Sequence, residues 1–169
     1  IAELLLGYLR GGLSAASVVA SAMFGAISGS GAATLTCIGS IMMPHLRKAG
    51  YPEGISGALV ISASPLGLLI PPSAAQLLYA WIGQLSVLKC FLATVIPGLI
   101  LTTMLIIVNF VILRNNNTIR ITEIPDRFFK ELGKKTAVAT PAILMPMIIL
   151  GGIYGGIMTP TEAAGVAVI

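Results

Sequence analysis

The chain has 169 residues, 56% of them hydrophobic and only 9% charged, with a net charge of +4 and a mean hydropathy of +0.98. A soluble domain is about a quarter charged, so this sequence cannot clothe itself in a water-compatible surface, and a soluble globular fold is excluded. The basic excess does not point to nucleic acid either, because the Lys and Arg residues lie between hydrophobic runs and form no single basic face.

Asp, Glu, Lys and Arg are absent from 11–46, 54–88, 90–113 and 136–161. A helix needs about 20 apolar residues to cross the hydrocarbon core, and each run is long enough. One short apolar leader before a polar chain, the mark of a signal peptide, is not the pattern. The sequence reads as an all-α, polytopic membrane protein. It begins Ile1-Ala2-Glu3 without Met and ends in an apolar run, so it also reads as an internal segment of a longer protein.

Basic residues mark cytoplasmic loops. The first run, about 11–46, has Arg10 at one end and Arg47-Lys48 at the other. A single crossing would put these clusters on opposite sides, whereas a re-entrant hairpin keeps both cytoplasmic. Its tip is expected in Gly25-Ala26-Ile27-Ser28-Gly29-Ser30-Gly31-Ala32, the poorest helix former in the run. The other reading is a long tilted helix with a Gly-rich packing face.

The second run, about 54–84, carries Ser64-Pro65-Leu66-Gly67 and Ile70-Pro71-Pro72-Ser73 at its centre. Proline removes a backbone donor and clashes one turn back, and the residue before it avoids helical geometry. A broken transmembrane helix is expected, and irregular backbone at membrane depth persists only when buried in protein or lining a wet cavity. Tyr79 and Trp81 read as interfacial anchors near its outer end.

A crossing over 85–113 follows, with Pro97-Gly98 as a kink and Asn109 as a polar group that needs a partner on another helix. The segment 114–135 holds both signs of charge and is expected as a cytoplasmic amphipathic connector, with a surface helix over 127–135. A further span over 136–158 leads into the next element, where Glu162, after Thr159-Pro160-Thr161, is placed to cap a helix N-terminus.

The interruptions are where chemistry can reside. The last turn of a half-helix leaves carbonyls unpaired and partly negative, suited to Na⁺. The first turn of the next leaves N–H groups free, suited to a carboxylate. Gly29 and Gly31 permit a tight turn and close approach, and Ser28, Ser30 and Thr34 add hydroxyls that can ligate a cation or donate to an anion.

Other polar residues have blander readings. Ser14, Ser17, Ser21 and Ser40 suit close helix–helix packing, Thr36 can bond back to its own helix, and His45 suits interfacial solvation. Cys37 and Cys90 read as small packing residues. Enzyme signatures are lacking: one histidine cannot make a two-histidine metal motif, and no Gly-rich loop is followed by Lys-Ser/Thr. The chain is not expected to be an enzyme, to hold an organic cofactor, or to bind a metal other than Na⁺.

The stretches Phe24-Gly25-Ala26-Ile27-Ser28-Gly29-Ser30, Ala33-Thr34, Ile38-Gly39-Ser40-Ile41-Met42-Met43-Pro44 and Lys48-Ala49-Gly50-Tyr51-Pro52 are joined by Leu66-Gly67-Leu68-Leu69-Ile70-Pro71-Pro72-Ser73. With the later Gly156-Ile157-Met158-Thr159-Pro160-Thr161-Glu162-Ala163-Ala164, they resemble, in order and spacing, the large membrane subunit of tripartite ATP-independent periplasmic (TRAP) transporters.

The resemblance implies half of an elevator-type secondary transporter in the bacterial inner membrane, driven by Na⁺. It would work with a small membrane subunit and a periplasmic substrate-binding protein, and import organic acids such as C4-dicarboxylates or sialic acids. It implies sodium ligands at Ser28 and Gly31 and at the backbone carbonyls of Gly67, Ile70 and Pro72. Ser30, Thr34 and Ser73 are weaker substrate contacts. Many relatives have a further polar residue near position 31, where this chain has Gly31-Ala32. A second hairpin and a second sodium site are expected outside this chain.

The implied division is a transport-domain segment over 1–84, a membrane helix over 85–113, a connector over 114–135 and a final membrane element over 136–169. Two other readings stand beside it: a divalent-anion or citrate-type Na⁺ symporter that needs no binding protein, and a non-transporting membrane scaffold.

Overall fold

The computed structural model describes residues 11–114, 119, 140, 144, 147–159, 162, 163 and 165. Among these residues the secondary structure is helical, with no strand. The connector expected over 114–135, with its surface helix over 127–135, lies outside them except for Arg114 and Ile119. So does Arg10.

Helix α1 (Gly12–Ser28) is built from small residues and closes on Gly29, whose φ of 61° is left-handed and whose N–H donates to the Gly25 carbonyl at 2.8 Å. A residue with a Cβ pays for that conformation, which is why glycine ends helices so often. The chain turns at once into α2 (Gly31–Lys48), capped by Ser30, which accepts from the Ala33 N–H at 3.4 Å. The chain therefore folds back on itself at Gly29-Ser30.

The far ends of this pair also meet. Leu13 near the start of α1 packs with Leu46 near the end of α2, together with Tyr51, Leu113 and Ile119. An unbroken tilted helix over 11–46 is thereby replaced by a helical hairpin with its ends side by side. His45, Arg47 and Lys48 lie in the last turn of α2, where the helix dipole favours positive charge. Across the following turn Arg47 pairs with Glu53 at 2.9 Å, but both are mostly exposed and the pair contributes little.

Helix α3 (Glu53–Ala63) yields at Ser64-Pro65 to a single turn, α4 (Leu66–Leu69), and Ile70 then takes an extended conformation. The Pro71–Pro72 peptide is cis. Helix α5 (Ala74–Ile82) resumes at 43° to the preceding axis, so the expected broken helix is present, with its principal interruption at 70–73. Tyr79 and Trp81 project outward from α5.

Helix α6 (Val87–Leu113) is the one unbroken helix long and apolar enough to cross a membrane among the described residues. It runs on through Pro97, and Gly98 beside it receives Ile70, whose Cγ1 is 3.3 Å from the point a Cβ would occupy. Much of its apolar surface, including Ile96, Leu99, Met104 and Val111, is exposed, which suits hydrocarbon or further protein but not water.

The seam between α1 and the broken helix is dry, with Val18, Leu59, Ala63 and Leu66 in contact. Ser14, Ser17 and Ser21 are buried along α1 as packing residues, the last two bonded to the carbonyls of Leu13 and Ser17. Ser40 differs from expectation: it is exposed on α2, its hydroxyl turned back to the Cys37 carbonyl, because that side of α2 has no neighbour among the described residues. Thr36 bonds back to Ala32 at 3.0 Å.

Asn109 finds its expected interhelical partner in α1. Its amide donates to the Gly11 carbonyl at 2.8 Å, and its oxygen accepts from the Ser14 hydroxyl at 2.6 Å. At the other end of α6, Phe91 packs with Ile153 of the helical stretch 147–154 and with Ala163. Glu162 caps as expected: its carboxylate accepts from the Thr159 N–H at 2.7 Å, while Thr159 Oγ1 accepts from the Glu162 N–H at 3.4 Å, a reciprocal capping box.

Candidate functional site

The hairpin tip and the helix break are in direct contact. A Cβ on Gly25 would lie 2.7 Å from Gly67 Cα, and one on Gly29 would lie 2.8 Å from the Pro72 carbonyl oxygen. A Cβ on Gly31 would be 3.2 Å from the Ser64 oxygen. Gly67 is the most confined: a Cβ there would collide with Thr34 Oγ1 and come within 2.7 Å of the Ser30 oxygen. Two irregular backbones separated in sequence by tens of residues thus pack largely backbone against backbone.

The break exposes carbonyls for a reason written in the backbone. In a continuous helix, the carbonyls of Gly67 and Leu68 would accept from the N–H groups of residues 71 and 72. Both are proline and have none. Leu66 keeps its bond, from the Ile70 N–H at 2.9 Å. Leu68 and Leu69 are rescued by a side chain: the Gln76 amide donates to their carbonyls at 2.5 and 3.3 Å. The carbonyls of Gly67, Ile70 and Pro72 have no hydrogen-bond donor among the described residues.

On the tip side, Ser28 is half-buried and loosely held. Its hydroxyl is 3.4 Å from both the Ser30 carbonyl and the Thr34 hydroxyl, at the long end of hydrogen bonding. That leaves its oxygen available to a stronger partner. Gly31 is the first residue of α2, where the N–H rather than the carbonyl lacks an intrahelical partner. A cation contact at Gly31 would share a carbonyl already in the helix ladder.

The remaining candidates are placed differently from one another. Thr34 is fully buried and donates to the Ser30 carbonyl at 2.8 Å. Ser73 is also buried; it precedes α5 but leaves that helix uncapped, and its hydroxyl points to the Gly29 carbonyl at 3.5 Å. Ser30 is half-buried and occupied in capping α2. The structure brings Ser28, Ser30, Gly31 and Thr34 of the tip together with Gly67, Pro72 and Ser73 of the break, while Ile70, on the same break, turns its side chain to Gly98 of α6.

Two participants escaped the sequence reading. Gln76 belongs to no motif and stands alone in an apolar helix, so its residue type carries no sign of this role. The available signal was its place in the first turn after two prolines, within reach of carbonyls those prolines orphan. Gly25 belongs to the poor helix-forming stretch expected at the tip, yet it lies inside α1 and is the flat surface on which Gly67 rests.

An apolar, interrupted helix packed against a hairpin tip, with undonated carbonyls at the join, is an arrangement that belongs to helical membrane proteins. The family model described as "Tripartite ATP-independent periplasmic transporter, DctM component" matches residues 1–169, and the chain belongs to that family.

Among its relatives is the C4-dicarboxylate TRAP transporter large permease protein DctM of Vibrio cholerae, 44% identical over 98% of this chain and 36% of that protein. The ectoine/5-hydroxyectoine TRAP transporter large permease protein UehC of Ruegeria pomeroyi is 35% identical, over 97% of the chain and 38% of that protein. The sialic acid TRAP transporter permease protein SiaT of Haemophilus influenzae is 34% identical, over 98% of the chain and 26% of that protein. The chain therefore spans little more than a third of the length of such relatives at most. They are named as permeases, which fits the expectation that the chain is not an enzyme.

Proposed function

We propose that the full-length protein is the membrane-embedded subunit of a Na⁺-coupled secondary transporter of the bacterial inner membrane. It imports an organic acid delivered by a periplasmic binding protein, and works with a small membrane subunit. The observation that carries this reading is the contact between tip and break, with the Gly67, Ile70 and Pro72 carbonyls left without donors beside the loosely held Ser28 hydroxyl. Neutral oxygens suit a hard monovalent cation, and no buried carboxylate is needed to hold it.

The substrate class follows from the same ends of helices. The first turns of α2 and α5 point free N–H groups toward this region, a setting that favours a carboxylate, and a bound cation would add to that attraction. Relatives named for C4-dicarboxylate, ectoine and sialic acid favour an organic acid, with the dicarboxylate-named Vibrio protein at 44% identity. Substrate contacts fall to Ser30, Thr34 and Ser73. Because α1 shares a dry seam with α3 and α4, the hairpin and broken helix can travel as one body, as an elevator mechanism requires.

The test is uptake of labelled C4-dicarboxylate into proteoliposomes holding the complete membrane complex, with the binding protein outside and either Na⁺ or choline as the external cation. Uptake that needs both Na⁺ and the binding protein is expected. Ser28→Ala should raise the Na⁺ concentration for half-maximal uptake by about tenfold, the scale of one lost ligand contact. Equal uptake in choline would overturn the coupling, and uptake without the binding protein would overturn the tripartite assembly.

A further inference from the structure

Gln76 performs a task that the sodium site itself does not account for. The two prolines of the break orphan the Gly67 and Leu68 carbonyls, and the end of the helix at Leu69 orphans a third. One side chain from the far side of the break answers two of the three: the Gln76 amide reaches back across 70–73 to Leu68 at 2.5 Å and Leu69 at 3.3 Å. These two are the only bonds from a side chain of α5 to the backbone of α4 among the described residues. The amide orientation is fixed by these two acceptors, since the oxygen cannot face carbonyls. Gln76 Oε1 is then left buried with no partner among the described residues, a cost accepted for the sake of the two N–H bonds.

We propose that Gln76 is a positioning residue that latches the two half-helices across the break, and that it selects which carbonyls stay open to the cation. By closing Leu68 and Leu69 it leaves Gly67, Ile70 and Pro72. Without the latch, five consecutive or near-consecutive carbonyls would compete for the ion, and no side chain of α5 would tie it to the backbone of α4; the bend would rest on Ile70 and Leu69 against Gly98 and on Pro72 and Ser73 against Gly29. The selection half of this proposal rests on the sodium reading above; the latch half does not.

Two measurements on the complete complex separate the halves. Spin labels at Ile61 in α3 and Tyr79 in α5, both well exposed, report the distance across the bend in Na⁺-free buffer. In Gln76→Met, which keeps length but has no N–H, the distance distribution should broaden relative to the wild type, and an unchanged distribution overturns the latch. In uptake assays the same variant should raise half-saturating Na⁺ by about tenfold while maximal rate changes by no more than about twofold. A maximal rate that falls with half-saturating Na⁺ unchanged overturns the selection role. Should Gln76→Met not reach the membrane, Gln76→Asn, one methylene too short to span both carbonyls, carries the same expectations. If wild-type uptake ignores Na⁺, the sodium reading fails and the latch is decided by the distance distribution alone.

Discussion

Gly25 of α1 and Gly67 of α4 lie face to face, so close that a Cβ on the first would stand 2.7 Å from the Cα of the second. A Cβ on Gly67 meets the Thr34 hydroxyl and the Ser30 carbonyl on the tip side. This contact seats the helix break on the hairpin, and it tolerates no side chain from either partner because what it would meet is largely backbone.

Gly67→Ala should therefore destabilise the protein by about 1–3 kcal/mol, the usual range for overpacking, toward the upper end since backbone cannot rotate away. Gly57→Ala is the control. It lies in α3 with nothing within 4 Å of the added methyl, and should stabilise by about 0.5–1 kcal/mol through helix propensity. Thermal unfolding in detergent measures both. Equal behaviour of the two variants would refute the contact.

Restoring donors at the break should close the open carbonyl. In the double variant Pro71→Ala, Pro72→Ala, residues 71 and 72 regain N–H groups that reach Gly67 and Leu68 if the helix continues. The bend of 43° should relax toward a straight axis and Na⁺-dependent uptake should be lost. Spin-label distances across the break and uptake with and without Na⁺ are the readouts.

The Asn109 bridge to Gly11 and Ser14 ties the start of the hairpin to α6. Interhelical hydrogen bonds in membrane proteins average about 0.6 kcal/mol with a maximum near 1.7. Leaving a buried partner unsatisfied adds about 1–3 kcal/mol. Asn109→Leu leaves the Gly11 carbonyl with the Ala15 N–H at 2.9 Å and the Ser14 hydroxyl at 2.9 Å, so the loss should stay near that of the interhelical bonds themselves, about 0.5–1.5 kcal/mol. A double-mutant cycle with Ser14→Ala should show coupling of about 0.5–1 kcal/mol; additive losses would mean the bridge is idle.

The cluster joining Leu13, Leu46, Tyr51 and Leu113 places both hairpin ends and the end of α6 together. Single cysteines at Lys48 and Arg114 should therefore react with an impermeant maleimide from the same face of the membrane. A cysteine at Gln84, in the loop between α5 and α6, should react from the other. Labelling of Lys48→Cys and Arg114→Cys from opposite faces would refute the re-entrant arrangement.

Much of this was open to inspection in the sequence because its causes are local. Proline without an N–H, glycine at a left-handed turn and a charge-free run of helical length act through the backbone of their own neighbours. The break at 70–73, the turn at Gly29, the cap by Glu162 and the need of Asn109 for a partner could all be read one residue at a time. Other outcomes depend on what lies across a gap of tens of residues. Ser14, Ser17 and Ser21 are buried while Ser40, with the same chemistry, is exposed, because among the described residues helices cover the serine face of α1 and not that of α2.

Composition alone located the interrupted, apolar spans and the orphaned carbonyls they create. Tertiary structure alone decided that Gly25 opposes Gly67, that Ser73 serves Gly29 in place of its own helix, and that Gln76 takes Leu68 and Leu69 and leaves Gly67 open. The physical reason is that a missing backbone donor is fixed by residue type, whereas the atom that replaces it is chosen by whichever side chain the packing brings within about 3 Å.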